Sequence, residues 1–264
     1  MIRLSKKHKT YFRKTALHLS VILLCCLWVF GINQTSARYL NSIVVDVDHV
    51  EGEKDLITVN DIKHIVTKEL PNDVMSQRLT RIDLNAIETL LLADTRIFDV
   101  QVFIDAHQQL SIEVVQRRPV MRVMNQQGDQ FYVDQAGEYV RKVNSRASRV
   151  VVITGYVESF DSAKEIEKLP KLNTAFKITN EIGKDTVIKA LIESIHFEKN
   201  GRIILTPKIG NEKIIIDHID ELSEKLSDLK DFYRQLARTN DWDKYDEIDI
   251  SYKDQVVVRN YKKP

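Results

Sequence analysis

The longest unbroken apolar segment lies near the start of the chain, at residues 16–33. These eighteen residues contain no Asp, Glu, Lys or Arg. An α-helix of this length spans about 27 Å, close to the roughly 30 Å thickness of a membrane's hydrocarbon core. The segment therefore predicts a transmembrane helix. Its predicted anchoring side chains are Leu17, Leu24, Trp28 and Phe30.

Charge on the two sides of this apolar segment predicts its orientation. Residues 1–15 contain six Lys or Arg and no acidic residue, whereas Asp and Glu are frequent in the residues that follow the segment. Positive flanks stay on the cytoplasmic side of a membrane protein. We therefore expect a cytosolic basic tail at 1–15, a linker at 34–41 and an exported remainder. The small residues at 35–37 leave a cleaved signal peptide open as the alternative.

Residues 42–118 predict a small α+β domain. One run alternates apolar and polar residues, two segments then carry apolar residues at helical spacing, and two more alternating runs follow. Thr58 and Asp83 are residue types that cap helix starts, and each directly precedes a helical pattern. In chain order the five predicted elements are centred on residues 43–47, 58–70, 83–91, 98–104 and 110–114.

Residues 119–264 predict a second α+β domain, with a mostly antiparallel sheet. Short apolar runs separated by turn residues indicate strands, and two longer segments carry apolar residues on one helical face. The predicted strands are at 131–133, 150–153, 202–205, 213–216, 248–252 and 256–258, and the predicted helices are at 161–195 and 219–238.

Candidate chemistry is sparse along the chain. Both cysteines, Cys25 and Cys26, lie inside the apolar segment, so the exported part has no disulfide framework and no thiolate metal site. No nucleotide-binding loop, serine-hydrolase motif or zinc-protease motif occurs. The group Asp46, Asp48 and His49 has no further His or Cys spaced to complete a metal site. With a net charge of +1 there is no basic field for nucleic acid. We therefore predict no catalytic residues, no metal and no cofactor.

Short motifs in a fixed order carry a family resemblance across most of the chain. They are Val50–Gly52, Ile82–Asp83, Val100–Val102, Ile112–Val114, Arg117–Val120, Asp134 with Gly137, Leu205 with Pro207 and Gly210, Lys225 with Leu229, and Trp242–Val257. This order after a single anchor resembles the bacterial cell-division family FtsQ/DivIB, in its Bacteroidetes-type form. The domain at 42–118 is similar to the family's POTRA domain. One departure is Asp217–His218, where the family has a glycine.

The resemblance implies a non-enzymatic, single-pass scaffold of the inner membrane at the division septum. The implied partners are coiled-coil division proteins similar to FtsB/DivIC and FtsL, with no nucleic acid and no small-molecule substrate. Two alternatives stay open, a membrane-anchored enzyme acting on cell-wall glycans and another POTRA-type assembly component. By resemblance, the partner binds the end of the second domain. Strand addition at an open sheet edge is the physical route that we expect for this binding. The candidate binding residues are Phe232, Tyr233, Ile248, Ile250, Ser251, Tyr252, Gln255, Val256, Val257 and Val258.

Overall fold

The computed structural model describes residues 19–28, 39–49, 55–69, 74–142, 148–239 and 244–260. The chain divides into two compact units. The first unit contains the chain up to Asp48 together with Thr58–Ala93 and Asp99–Val114. The second contains Val115 onward and the short stretches His49–Ile57 and Asp94–Phe98.

The predicted membrane segment is described only at its centre. Residues 19–28 are helical, and Leu24 and Trp28 are exposed there. Leu17 and Phe30 lie outside the described residues, as do the basic tail and most of the predicted linker. Within the described ranges, no helix has both the length and the apolar character needed to cross a membrane.

A three-stranded sheet and the two helices between its first two strands form most of the first unit. Strands β1 (Ser42–Val47), β2 (Ile97–Ile104) and β3 (Gln109–Gln116) lie in the order β1-β3-β2, with β1 parallel to β3. The chain passes through α1 (Val59–Lys68) and α2 (Leu84–Leu92) between β1 and β2.

Both predicted helix starts of the first unit are confirmed. Thr58 and Asp61 form a reciprocal capping box at α1, with the Asp61 N–H donating to the Thr58 hydroxyl. The Asp83 carboxylate accepts the Ala86 N–H at 3.0 Å at the start of α2. Such caps satisfy backbone donors that a helix leaves unpaired at its first turn. The apolar faces that follow are buried, at Ile62, Ile65, Val66, Ile87 and Leu91.

The second unit is built on a nine-stranded mixed sheet, so the predicted α+β class is confirmed. Its strands follow the order β12-β11-β10-β9-β8-β7-β4-β5-β6. Three neighbouring pairs are parallel (β4 with β7, β7 with β8, β10 with β11), and the others are antiparallel. The strands are β4 (Pro119–Asn125), β5 (Gln130–Asp134), β6 (Tyr139–Arg141), β7 (Val151–Gly155), β8 (Ile192–Phe197), β9 (Ile203–Pro207), β10 (Lys213–Ile216), β11 (Glu247–Asp249) and β12 (Val257–Arg259).

Three helices pack on one face of this sheet. They are α3 (Pro170–Lys184), α4 (Thr186–Leu191) and α5 (Leu222–Thr239). Alternate strand residues point into a single core against them, as expected from the two-residue period of a strand. The core includes Val123, Ile153, Ile195, Phe197, Leu205, Ile214, Ile216 and Ile248 from the strands, and Leu172, Ile178, Ile182, Leu226, Leu229 and Leu236 from the helices.

Several predicted boundaries in the second unit are wrong. The helix predicted over 161–195 ends at Leu191, and its last residues belong to β8 instead. Ile192 and Ile195 continue the apolar spacing of α4, but in the structure they pair with β9 and β7 respectively, through Pro207 and Ile153. The helix predicted from 219 begins at Leu222, and the strand predicted to 252 ends at Asp249. Strands β4 and β6 were not predicted.

Candidate partner-binding site at the terminal edge of the large sheet

Strand β12 forms one border of the nine-stranded sheet. It pairs antiparallel with β11, and no other described strand lies beside it. Val258 lies opposite Ile248, and the Arg259 guanidinium lies 3.5 Å from the Glu247 carboxylate across the pair. A border strand presents unpaired N–H and C=O groups to which another extended segment can bind. We call the open side of Val257–Arg259 the terminal edge.

The pairing of β11 with β10 determines the direction of its backbone groups. Lys213 N–H donates to Asp246 O at 3.0 Å, and Ile250 N–H donates to Ile215 O, also at 3.0 Å. Successive residues of a strand direct their hydrogen-bonding groups to opposite neighbours. Ile248, which lies between these two contacts, therefore also bonds to β10.

The alternate residues of β11 accordingly bond to β12. Glu247 and Asp249 face β12, where their register partners are Arg259 and Val257. Arg259 O also accepts the Asp246 N–H at 3.0 Å, so the Arg259 carbonyl faces β11. Val258 then directs its N–H and C=O away from the sheet. The terminal edge thus offers the backbone of Val258 to a partner, whereas the donors of its two neighbours are used within the sheet.

Side chains of the two last strands divide between the core and the opposite face. Ile248 and Ile250 are buried in the core, and Val256 and Val258 pack against the same core. Val257 is half-buried on the other face of the sheet, beside its register partner Asp249. The aliphatic candidates of the predicted site therefore mainly hold the terminal edge in place.

The turn before β12 presents the most exposed candidate residues. The Tyr252 side chain is 53% exposed, and Gln255 is exposed as well. Ser251 is buried instead, and its hydroxyl accepts the Asp217 N–H at 3.0 Å. Tyrosine is frequent among residues that dominate binding energy at interfaces. Tyr252 is therefore the side chain of this turn best placed to contact a partner.

An ion pair connects this turn to the segment that precedes α5. Lys253 Nζ lies 2.6 Å from a Glu221 carboxylate oxygen. This hydrogen bond holds the pKa of Glu221 below its ordinary value, and it raises the pKa of Lys253. The two residues are 32 positions apart, so no local sequence signal indicates the contact.

The two aromatic candidates on α5 have different environments. Phe232 is half-buried, and its ring lies 5.7 Å from that of Tyr245, just before β11. Tyr233 is buried, and its hydroxyl donates a hydrogen bond to the buried Glu212 carboxylate. Phe232 and Tyr245 therefore form a half-buried aromatic pair at the border of the core, whereas Tyr233 lies inside it. Tyr245 was not predicted as a site residue, although it lies within a motif of the sequence.

We expect Tyr233→Phe to destabilise the protein by about 1–3 kcal/mol, the usual cost of leaving a buried polar group without its partner. Glu212 Oε2 already has no hydrogen-bond partner in the described part of the chain, so this change leaves both carboxylate oxygens without a donor. Urea unfolding of the full chain measures the change in free energy. Tyr252→Phe, at an exposed position, is the matched control. Equal stability of both variants would contradict a buried hydrogen bond from Tyr233 to Glu212.

The same contact predicts a loss of stability at alkaline pH. Burial, assisted by the hydrogen bond to Glu212, raises the pKa of Tyr233. Above about pH 10 the unfolded chain releases this proton while the folded chain keeps it, so stability falls as pH rises. Tyr233→Phe lacks this proton. The stability difference between wild type and Tyr233→Phe should therefore shrink from about pH 9 to about pH 11. A constant difference over this range would contradict the prediction.

The structure adds no metal site to this picture. Within the ranges that the structure describes, no cluster of three or more His, Cys, Asp or Glu side chains has an arrangement suited to a metal ion. Cys25 and Cys26 are free and exposed on the helical segment 19–28.

Comparison with known protein families identifies a relationship. A family model described as "FtsQ/DivIB, C-terminal related" matches residues 118–258, more than half of the 264 residues. The matched range runs from the start of β4 into β12 and includes Val258 at the terminal edge. No curated protein matches the chain significantly.

Proposed function

The chain belongs to the FtsQ/DivIB family, and we propose that it is a non-enzymatic scaffold of the bacterial division machinery. In this role it links other division proteins at the septum. The observation that carries the proposal is the open terminal edge, which presents the unpaired backbone of Val258 at the end of the matched range.

The proposed partner of the terminal edge is a coiled-coil division protein similar to FtsB/DivIC, itself bound to one similar to FtsL. An extended segment of this partner adds a strand beside β12, and its backbone bonds to Val258. Tyr252 contacts one end of the added strand. Phe232 and Tyr245 contact the other end, because β12 runs antiparallel to β11 and Arg259 pairs beside Asp246. Backbone pairing then fixes the register, and these aromatic side chains provide specificity.

Imaging of a full-length fluorescent fusion tests the scaffold role directly. We expect the fusion to concentrate at the division site and to co-purify with the coiled-coil partner. A signal spread evenly around the envelope, without co-purification, would contradict the proposal. Imaging of the partners after depletion of this chain distinguishes a scaffold from a wall-modifying enzyme. Depletion of a scaffold stops the recruitment of its partners to the septum.

We also propose that residues 16–33 anchor the chain in the inner membrane, with the tail 1–15 in the cytosol. The support is the absence of charge over eighteen residues and the strongly basic flank before them. Leu17, Leu24, Trp28 and Phe30 contact lipid in this arrangement. The remainder, including a POTRA-like domain at 42–118 and the domain at 119–264, then lies in the periplasm.

Neutralising the basic tail should randomise this orientation. We expect replacement of Lys6, Lys7, Lys9, Arg13 and Lys14 by Gln to leave a large fraction of molecules inverted, because the positive flank determines which side stays cytosolic. An alkaline phosphatase fusion after Pro264 is active only when exported and measures that fraction. Five Lys→Gln changes beyond residue 160 are the control. Unchanged export of the tail variant, or a mature chain beginning at Arg38, would contradict the anchor.

A further inference from the structure

The two borders of the small sheet in the first unit differ in their free hydrogen-bonding groups. At β2, the Val102 N–H donates to the Glu88 carboxylate of α2 at 3.0 Å. The Val100 N–H donates to the Asp99 carboxylate at 2.9 Å. Side chains of the chain itself therefore occupy two backbone donors of the β2 border, so a further strand has little to bind there.

The β1 border keeps its backbone groups free. Asp48 N–H donates to Val114 O at 2.9 Å, which directs the even-numbered residues of β1 toward β3. Ile43, Val45 and Val47 therefore direct their N–H and C=O groups to the open side. These three residues have no hydrogen-bond partner on that side within the described ranges. The β1 border thus offers three consecutive outward positions to an extended segment.

Charge on the adjacent sheet face indicates the chemistry of such a segment. Asp46 lies directly opposite Glu113 in the parallel register, and both side chains are exposed. Neither carboxylate forms an ion pair or a hydrogen bond with a described residue. Like charges at directly opposed positions repel each other. Val44, one pair earlier on the same face, is 44% exposed. A strand beside β1 would lower this repulsion by placing a positive charge next to Asp46.

We propose that the β1 border binds an extended segment of a division partner that carries Lys or Arg facing Asp46 and an apolar residue facing Val44. The inference rests on the proposed scaffold function and deepens it, because it assigns a second partner contact to the first unit. Backbone bonds to Ile43, Val45 and Val47 supply the pairing. The acidic pair Asp46 and Glu113 selects for positive charge.

Site-specific photocrosslinking in cells tests this contact on the full chain. A benzophenone amino acid replaces Val44 on β1 or, as a control, Gln101 on β2. The crosslinking yield is then compared between wild type, Glu113→Lys and Glu69→Lys. Lysine at 113 forms its own ion pair with Asp46 and competes with the partner's charge, whereas Glu69 is an exposed glutamate at the end of α1. Mass spectrometry of the adduct identifies the crosslinked peptide.

We expect an adduct at Val44 with a division protein, through a peptide that contains Lys or Arg two residues from an apolar residue. Glu113→Lys should lower its yield at least tenfold, and Glu69→Lys should leave it unchanged. The inference is wrong if Gln101 gives the adduct instead, if Val44 gives none, if the adduct is a second copy of this chain, or if Glu113→Lys has no effect. Septal localisation is imaged in the same cells, so that failure of the scaffold role itself is recognised separately.

Discussion

We expect Val258→Pro to weaken binding of the coiled-coil partner at least tenfold while the fold is kept. The proline removes the N–H that Val258 directs away from the sheet, and its ring occupies the space of the added strand. Loss of one hydrogen bond accounts for about 0.5–1.5 kcal/mol, and exclusion of the strand adds to it. Titration of the purified full-length chain with the partner's periplasmic segment measures the dissociation constant.

Two variants separate the backbone contribution at Val258 from other effects. Val258→Ala keeps the N–H and shortens the side chain, so binding should remain near the wild-type value. Val257→Pro removes a donor that faces β11 and should disrupt β12 itself, since Val257 pairs with Asp249. If Val258→Pro binds the partner as tightly as Val258→Ala does, partner binding does not use the terminal edge.

The second substitution with a large expected effect, this time on stability, lies at the end of β7. Gly155 has a φ of 90°, and a Cβ atom there would lie 2.2 Å from the backbone oxygen of Phe197. Phe197 O also accepts the Tyr156 N–H, so β8 cannot move away without loss of that bond. We expect Gly155→Ala to destabilise the chain by about 3 kcal/mol or more, the upper end of the cost of a strained backbone residue. Urea unfolding provides the measurement.

A second glycine of the same unit is the matched control. Gly183 lies in α3, where a Cβ atom would meet no neighbouring atom within 4 Å, and its φ is not positive. Alanine favours a helix more than glycine does, by about 0.5–1 kcal/mol. Gly183→Ala should therefore stabilise the chain slightly. Equal effects of the two substitutions would show that the close approach of Phe197 to Gly155 is not maintained in solution.

Features of this fold that depend on neighbouring residues in the sequence could be predicted. The start of α1 is determined by Thr58 and Asp61, and the start of α2 by Asp83, because a helix cap acts within three residues. The apolar stripe of α5 steps by three and four residues, and this local spacing indicates one buried helix face.

Strand β8 shows why other elements could not be predicted. Ile188, Leu191, Ile192 and Ile195 have the spacing of a helix face, so the local pattern favours a continued helix. In the structure the chain leaves the helix after Leu191, and β8 lies between β7 and β9. Pairing with two strands distant in the sequence outweighs the local preference, and a single sequence does not contain that information.

The terminal edge has features that could be predicted from the sequence and features that could not. The apolar alternation at its strands indicated that the end of the chain joins a sheet. Which backbone groups point outward depends on the register of β11 with β10, a segment more than thirty residues earlier. The pair Glu221 and Lys253 joins positions that are 32 residues apart. The role of Val258 and the support of the turn around Tyr252 therefore became visible only in three dimensions.

Hydrogen exchange at Val258 tests the central claim most directly. The amide exchange rates of Val257, Val258 and Arg259 are measured by NMR in the full-length chain, with and without a saturating amount of the partner's periplasmic segment. Strand addition predicts that the Val258 amide exchanges at least tenfold more slowly in the complex, while Val257 and Arg259, already bonded to β11, change little. A Val258 amide that exchanges at the same rate in the bound and free chain would contradict strand addition at the terminal edge.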